Sequence, residues 1–144
     1  LEEGLLDIET ALTLHSRRLG HAIIAYMPLD TYLNRRDGNN ELYNQTRIER
    51  LKSRQKEVLR QIKESQVPVE VCPTSNLVAH LGGNSYSDHP IDRLIEISIP
   101  FVICTDDYGI FGRSLQEEAS GLSEAKGLHK DRLIKTAEEY LLGR

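Results

Sequence analysis

The sequence contains no apolar run approaching the roughly 20 residues that span a bilayer, and its opening Leu1-Glu2-Glu3 is acidic and helical in pattern rather than signal-like. A soluble chain is expected. Cysteine is scarce: Cys72 and Cys104 are the only two in 144 residues. They fall at corresponding ends of two apolar runs, which suits reduced core thiols better than a secreted disulfide framework, so the cytoplasm is the expected compartment. An excess of one charge is also missing. The 18 Lys and Arg residues are interspersed among 22 Asp and Glu, for a net charge of -4. That balance does not suggest a phosphate-tracking nucleic-acid surface and fits a small or neutral ligand better. Several catalytic signatures are absent as well. There is no P-loop, no G-x-G-x-x-G after a strand, no G-x-S-x-G and no H-E-x-x-H. The H-x-E and P-C-x-x-C pair of the small zinc deaminases is missing too, since the order here is Cys72-Pro73.

What is present is enough for one domain, with 39% hydrophobic residues to form a core. Three short, β-branched apolar runs stand out: Leu19 to Ala25, Val67 to Cys72 and Ile99 to Thr105. Continuous runs of this length predict strands covered on both faces, as in parallel sheets. Helical spacing fills the intervals. Leu5, Ile8, Leu12 and His15 precede the first run, and Glu41 to Ser65 carries Ile48, Leu51, Val58, Leu59 and Ile62 along one side. Asp88-His89-Pro90 marks a helix start before Ile91, Leu94 and Ile95. Arg113 to Ser120 and Lys130 to Leu142 complete the pattern, with Gly143 suited to a C-cap. Met27 to Asn40, with Pro28 and Asp37-Gly38, reads as an irregular loop. The resulting order, α-β-α-β-α-β-α-α, is that of a parallel βα architecture, either an open doubly wound sheet or part of a barrel. A barrel takes eight strands and about 250 residues, so that reading implies further sequence elsewhere.

Polar residues gather where each predicted strand ends: His21, then Cys72-Pro73-Thr74-Ser75-Asn76, then Thr105-Asp106-Asp107. Ligands bind at such C-terminal strand ends in parallel folds. Adjacent carboxylates at the end of a buried strand call for a cation or hydrogen-bond donors. Two readings of Asp106 and Asp107 therefore stand: a metal site, or a helix cap at Asp107 with Asp106 in solvent. His21 is either a satisfied core residue or a functional imidazole. Cys72 reads as an inert buried thiol, and His15, His80, His89 and His129 receive no role.

Taken together and in order, Arg18-Leu19-Gly20-His21, Glu70 to Asn76 and Thr105-Asp106-Asp107 resemble the adenosine and AMP deaminases. Ile110-Phe111-Gly112 and Ser114-Leu115 extend the likeness over nearly the whole chain. The resemblance implies an α/β fold, a TIM-type barrel of the metal-dependent amidohydrolase kind. Residues 1–144 would be its C-terminal portion, about strands six to eight with their helices. It also implies hydrolytic removal of the purine 6-amino group from a nucleoside or nucleotide. Asp106 would ligate a divalent metal, usually zinc, and help take the proton from the attacking water. Asp107 would hydrogen-bond the purine ring, and His21 would orient and stabilise the attacking hydroxide.

The family's H-x-H pair, third metal histidine and ring-protonating glutamate have no counterpart in this sequence. A catalytic zinc site needs about three protein ligands, so activity of this chain alone is not expected. Leu1 falls within a helical pattern, which fits an N-terminal barrel half lying elsewhere, on the same or a separate chain. The exposed sheet edges of a part-barrel also predict self-association. Two positions depart from the family pattern: Ala22 replaces a usual glycine and Tyr108 a usual proline, changes that bear on pocket shape and substrate. The alternatives are a non-catalytic interaction module derived from the deaminase barrel and another amidohydrolase activity on the same fold.

Overall fold

A computed structural model describes residues 1–30, 45–83 and 85–143. Helix α1 (Glu2–Thr13) leads into β1 (Leu19–Gly20) and the short α2 (Ile23–Tyr26). Helix α3 (Gln45–Ser65) precedes β2 (Val69–Val71), which is followed by α4 (Pro73–Asn76) and a π-helical turn at Leu77–Leu81. A 3-10 turn at Tyr86–Asp88 and α5 (Ile91–Glu96) bring the chain to β3 (Phe101–Ile103). Helices α6 (Tyr108–Phe111), α7 (Leu115–Lys126) and α8 (Lys130–Leu141) follow. No described helix is long and apolar enough to cross a membrane.

The three strands form one parallel sheet in the order β1-β2-β3. Leu19 pairs with Val69 and Val69 with Phe101, while Gly20, Glu70 and Val102 share the next row. Because side chains alternate along a strand, Val69 and Val71 point together into the helical layers and are fully buried. They share one core with Leu5 of α1, Val58 and Ile62 of α3, and Leu94 of α5, all at 0% exposure. Glu70 lies on the other face, half-buried, in an ion pair with Arg18 at 3.2 Å.

The parallel alternation agrees with the sequence pattern, but the element bounds do not all agree. The first apolar run is extended only at Leu19–Gly20, because His21 and Ala22 adopt left-handed backbones with φ of 58° and 36°. The remainder of the run is apolar because α2 is itself buried, and a short apolar run does not separate strand from helix. Helix α7 runs well beyond Ser120 to Lys126, through Gly121. A Cβ on Gly121 would lie 2.4 Å from the Tyr86 ring, so this glycine marks close packing rather than a break. The loop predicted from Met27 to Asn40 and the helical start at 41–44 lie largely outside the described residues.

Each helix-to-strand turn uses a non-glycine residue in left-handed backbone: His15 after α1, Gln66 after α3 and Ser98 after α5, with φ of 54° to 58°. A left-handed L-residue costs roughly 1–2 kcal/mol relative to glycine, partly offset by the freedom glycine has when unfolded. Ser98 is exposed and its amide closes the turn on Ile95 O at 3.0 Å. Ser98→Gly is therefore expected to raise stability by about 0.5–1 kcal/mol, and Ser98→Val to lower it, as read from urea midpoints.

Candidate active site

The sheet register brings the three strand ends together. His21 follows β1 directly, Cys72 follows β2, and Asp106 comes three residues after β3. One ligand atom each from His21, Cys72 and Asp106 lies within 4.8 Å of the others. His21 Nε2 stands 3.6 Å from Asp106 Oδ2, longer than a direct hydrogen bond, and both side chains are partly open to solvent. Asp106 also has a left-handed backbone, φ 57°, so both polar residues at this convergence occupy strained conformations. Such outliers persist where the surrounding structure holds them and concentrate at functional sites. A cleft of about 860 Å³ opens beside His21, walled by Gly4 and Asp7 of α1, Ile24 of α2 and the turn at residues 78–80.

The aspartate pair divides between the two readings left open by the sequence. Asp107 is the N-cap of α6, its Oδ1 accepting from the Gly109 amide at 2.9 Å. Asp106 instead turns toward His21. Cys72 joins the cluster geometrically, yet its thiol is held protonated by a hydrogen bond with Cys104 and by burial, which both raise its pKa. The imidazole nitrogen and the carboxylate fit a borderline-soft divalent cation, and Asp106 with His21 beside it would help hold one, with the protonated Cys72 thiol outside the donor set.

Behind these groups lies a polar layer that no spacing rule revealed. His21 Nδ1 is 3.4 Å from Asn76 Oδ1, and Asn76 Nδ2 is 3.1 Å from His89 Nε2. Asn76 and His89 are both 0% exposed. Helix α7 buttresses the same turn: buried Glu118 accepts from the Thr74 amide at 3.3 Å and from the Tyr86 hydroxyl at 3.1 Å. Desolvation raises the Glu118 pKa even with these donors. His89, which the sequence marked only by its following proline, is the buried end of the layer.

The fold and site define an α/β protein with its polar constellation at the C-terminal ends of a parallel sheet. A sequence model described as adenosine deaminase matches residues 4–141, and the chain belongs to that family. It is 36% identical over 74 residues to an adenosine deaminase-like protein of Drosophila pseudoobscura pseudoobscura, covering 51% of this chain and 22% of the relative. Identity to the N6-mAMP deaminase of Arabidopsis thaliana is 34% over 76 residues, covering 53% and 21%. An adenosine deaminase of Clostridium acetobutylicum aligns over 85% of this chain and 29% of its own length at 26% identity. The solved structure of the ADAL-IMP complex superposes with a TM-score of 0.57 at 24% identity, over 90% of this chain and 29% of that one. The chain thus spans between a fifth and a third of the length of these proteins.

Burial lowers the His89 pKa to about 4. An unfolded histidine titrates near 6.5, so between these values the unfolded chain binds more protons. Stability is therefore complete above pH 6.5 and falls as pH drops toward 4, by up to about 3 kcal/mol from this group. Denaturation in urea at pH 7 and pH 4.5 should show a shallower loss for His89→Gln than for the parent; equal losses would remove His89 as the source.

Proposed function

We infer that this chain is the C-terminal portion, about strands six to eight, of a metal-dependent purine deaminase barrel that hydrolyses the 6-amino group of a purine nucleoside or nucleotide. The observation that carries this reading is the convergence of His21 and Asp106 at the C-terminal ends of β1 and β3, the strands that flank β2, in a chain of the adenosine deaminase family. Related proteins are named for deamination of adenosine, adenine and N6-mAMP, and the structural neighbour is an IMP complex, which supports a purine substrate and favours a nucleoside monophosphate.

In this reading Asp106 would be one ligand to a divalent cation, zinc by the family resemblance, and would help take a proton from the attacking water. His21, held by Asn76 on one side, presents Nε2 to that water and accepts its hydrogen bond, which orients the water and places developing positive charge on the ring beside the attacking oxygen. When bound, the divalent cation supplies charge that lowers the pKa of water from about 15.7 toward 7. Asp107 meets the purine ring, which requires its Oδ1 to leave or share the Gly109 amide. Tyr108 and Ile110, 63% and 73% exposed beside it, form an apolar tip suited to a base or to the rest of the barrel. Further metal ligands and the ring-protonating acid come from the N-terminal part of the barrel, on the same or another chain.

The test is purine deamination, followed by absorbance with added zinc, for this chain alone and combined with N-terminal barrel sequence that supplies the missing histidines. Activity is expected only in the combination, with Asp106→Ala lowering kcat at least about 10³-fold and His21→Ala about 10²- to 10⁴-fold. Full activity of the Asp106→Ala combination would sink the proposal.

A further inference from the structure

Asn76 joins two imidazoles, and a carboxamide is asymmetric: its oxygen only accepts and its nitrogen only donates. With the oxygen toward His21, as in the structure, His21 carries its proton on Nδ1 and donates across the 3.4 Å contact. The Asn76 amide then donates to a bare His89 Nε2 across 3.1 Å, which leaves the His89 proton on Nδ1. If the carboxamide is turned over, both assignments reverse together. Asn76 then accepts from His89 Nε2–H and donates to a bare His21 Nδ1, so both rings are protonated on Nε2. Neither orientation satisfies two neutral rings protonated on unlike nitrogens.

We propose that His89 is a positioning residue for His21, acting through Asn76 so that the two neutral rings always carry their protons on like nitrogens. In the orientation observed, both are Nδ1–H, and His21 Nε2 is left as an acceptor that receives a hydrogen bond from the substrate water rather than a donor to Asp106.

Three observations support the coupling. Asn76 and His89 are completely buried, so water does not compete for the contacts between them. His89 Nδ1 is buried without a hydrogen-bond partner among the described residues, so no second bond fixes its tautomer independently. Burial also keeps the His89 ring neutral at physiological pH, with its pKa near 4, which preserves one bare nitrogen for Asn76 to meet. Upstream, Glu118 and Tyr86 hold the turn that carries Asn76, so the amide has a fixed place from which to bridge. The value of the coupling for chemistry rests on the deaminase reading, in which His21 Nε2 meets the attacking water. The coupling itself is measurable without catalysis.

The experiment is long-range ¹H–¹⁵N correlation spectroscopy of the imidazole rings of this chain at alkaline pH, with signals assigned from His21→Gln and His89→Gln. Like tautomers on His21 and His89 are expected in the parent protein. Asn76→Asp, which accepts on both sides, should convert them to unlike tautomers, with His21 protonated on Nδ1 and His89 on Nε2. A purely structural role for Asn76 would not produce that reversal. Unlike tautomers in the parent, or one ring fixed while the other averages, would overturn the proposal even if Asn76→Asp fails to fold. Loss of deaminase activity in the separate assay would leave the tautomer result standing, so the two readings fail independently.

Discussion

The candidate site depends on the register of the central strand. Strand β2 is bonded on both sides: the Leu19 amide donates to Pro68 O, the Val69 amide to Pro100 O, and the Cys104 amide to Val71 O at 2.8 Å. Those bonds place the three strand ends level, and only then do His21, Cys72 and Asp106 meet. A slip of one residue would send Val69 and Val71 to the opposite face and replace two buried side chains with Glu70. The hydrophobic layer beneath the sheet therefore enforces the geometry of the polar end above it. Packing and site geometry are one constraint here.

That constraint also accounts for where strain is found. Once the strands are level, the chain must turn sharply at each end while still presenting a polar side chain, and glycine cannot do the second task. His21 and Asp106 accept positive φ because imidazole and carboxylate are needed at those points. Ala22 is different. It contributes no polar group, and its φ of 36° is a conformation glycine adopts more easily, which gives a physical reason for the glycine expected from the family resemblance. Its methyl is buried, so the strain is partly compensated by packing.

The parts legible in the sequence were those with a period or a local chemical signature. Val69 and Val71, and the stripe Val58, Leu59 and Ile62, follow simple spacings and proved buried as patterned. The capping box of Ser114 with Glu117 three residues on is local chemistry as well, yet the helix is expected from Arg113 in the sequence and starts at Leu115 in the structure. The first strand was overestimated because Ile23 to Tyr26 is as apolar as a strand while being a buried helical turn. The left-handed turns at His15, Gln66 and Ser98 carried no glycine to announce them. His89 was invisible for a deeper reason: its partner lies 13 residues away, and only the fold makes them neighbours.

The distribution of roles within the site follows from the same distinction. Groups that touch a ligand in a parallel βα fold come from different strand ends, so their assembly requires distant segments. Groups that orient them can be local. Here Thr74, Asn76, Tyr86, His89 and Glu118 all lie between β2 and the middle of α7, and they hold His21 through a single buried amide. The orientation of His21 is thus encoded within this chain, whereas His21, Cys72 and Asp106 reach one another only because three separate strand ends converge. Positioning precedes binding in this arrangement: a histidine already held by a buried network through Asn76 does not need a ligand to orient it, and the ordering entropy of that side chain is spent during folding rather than at binding.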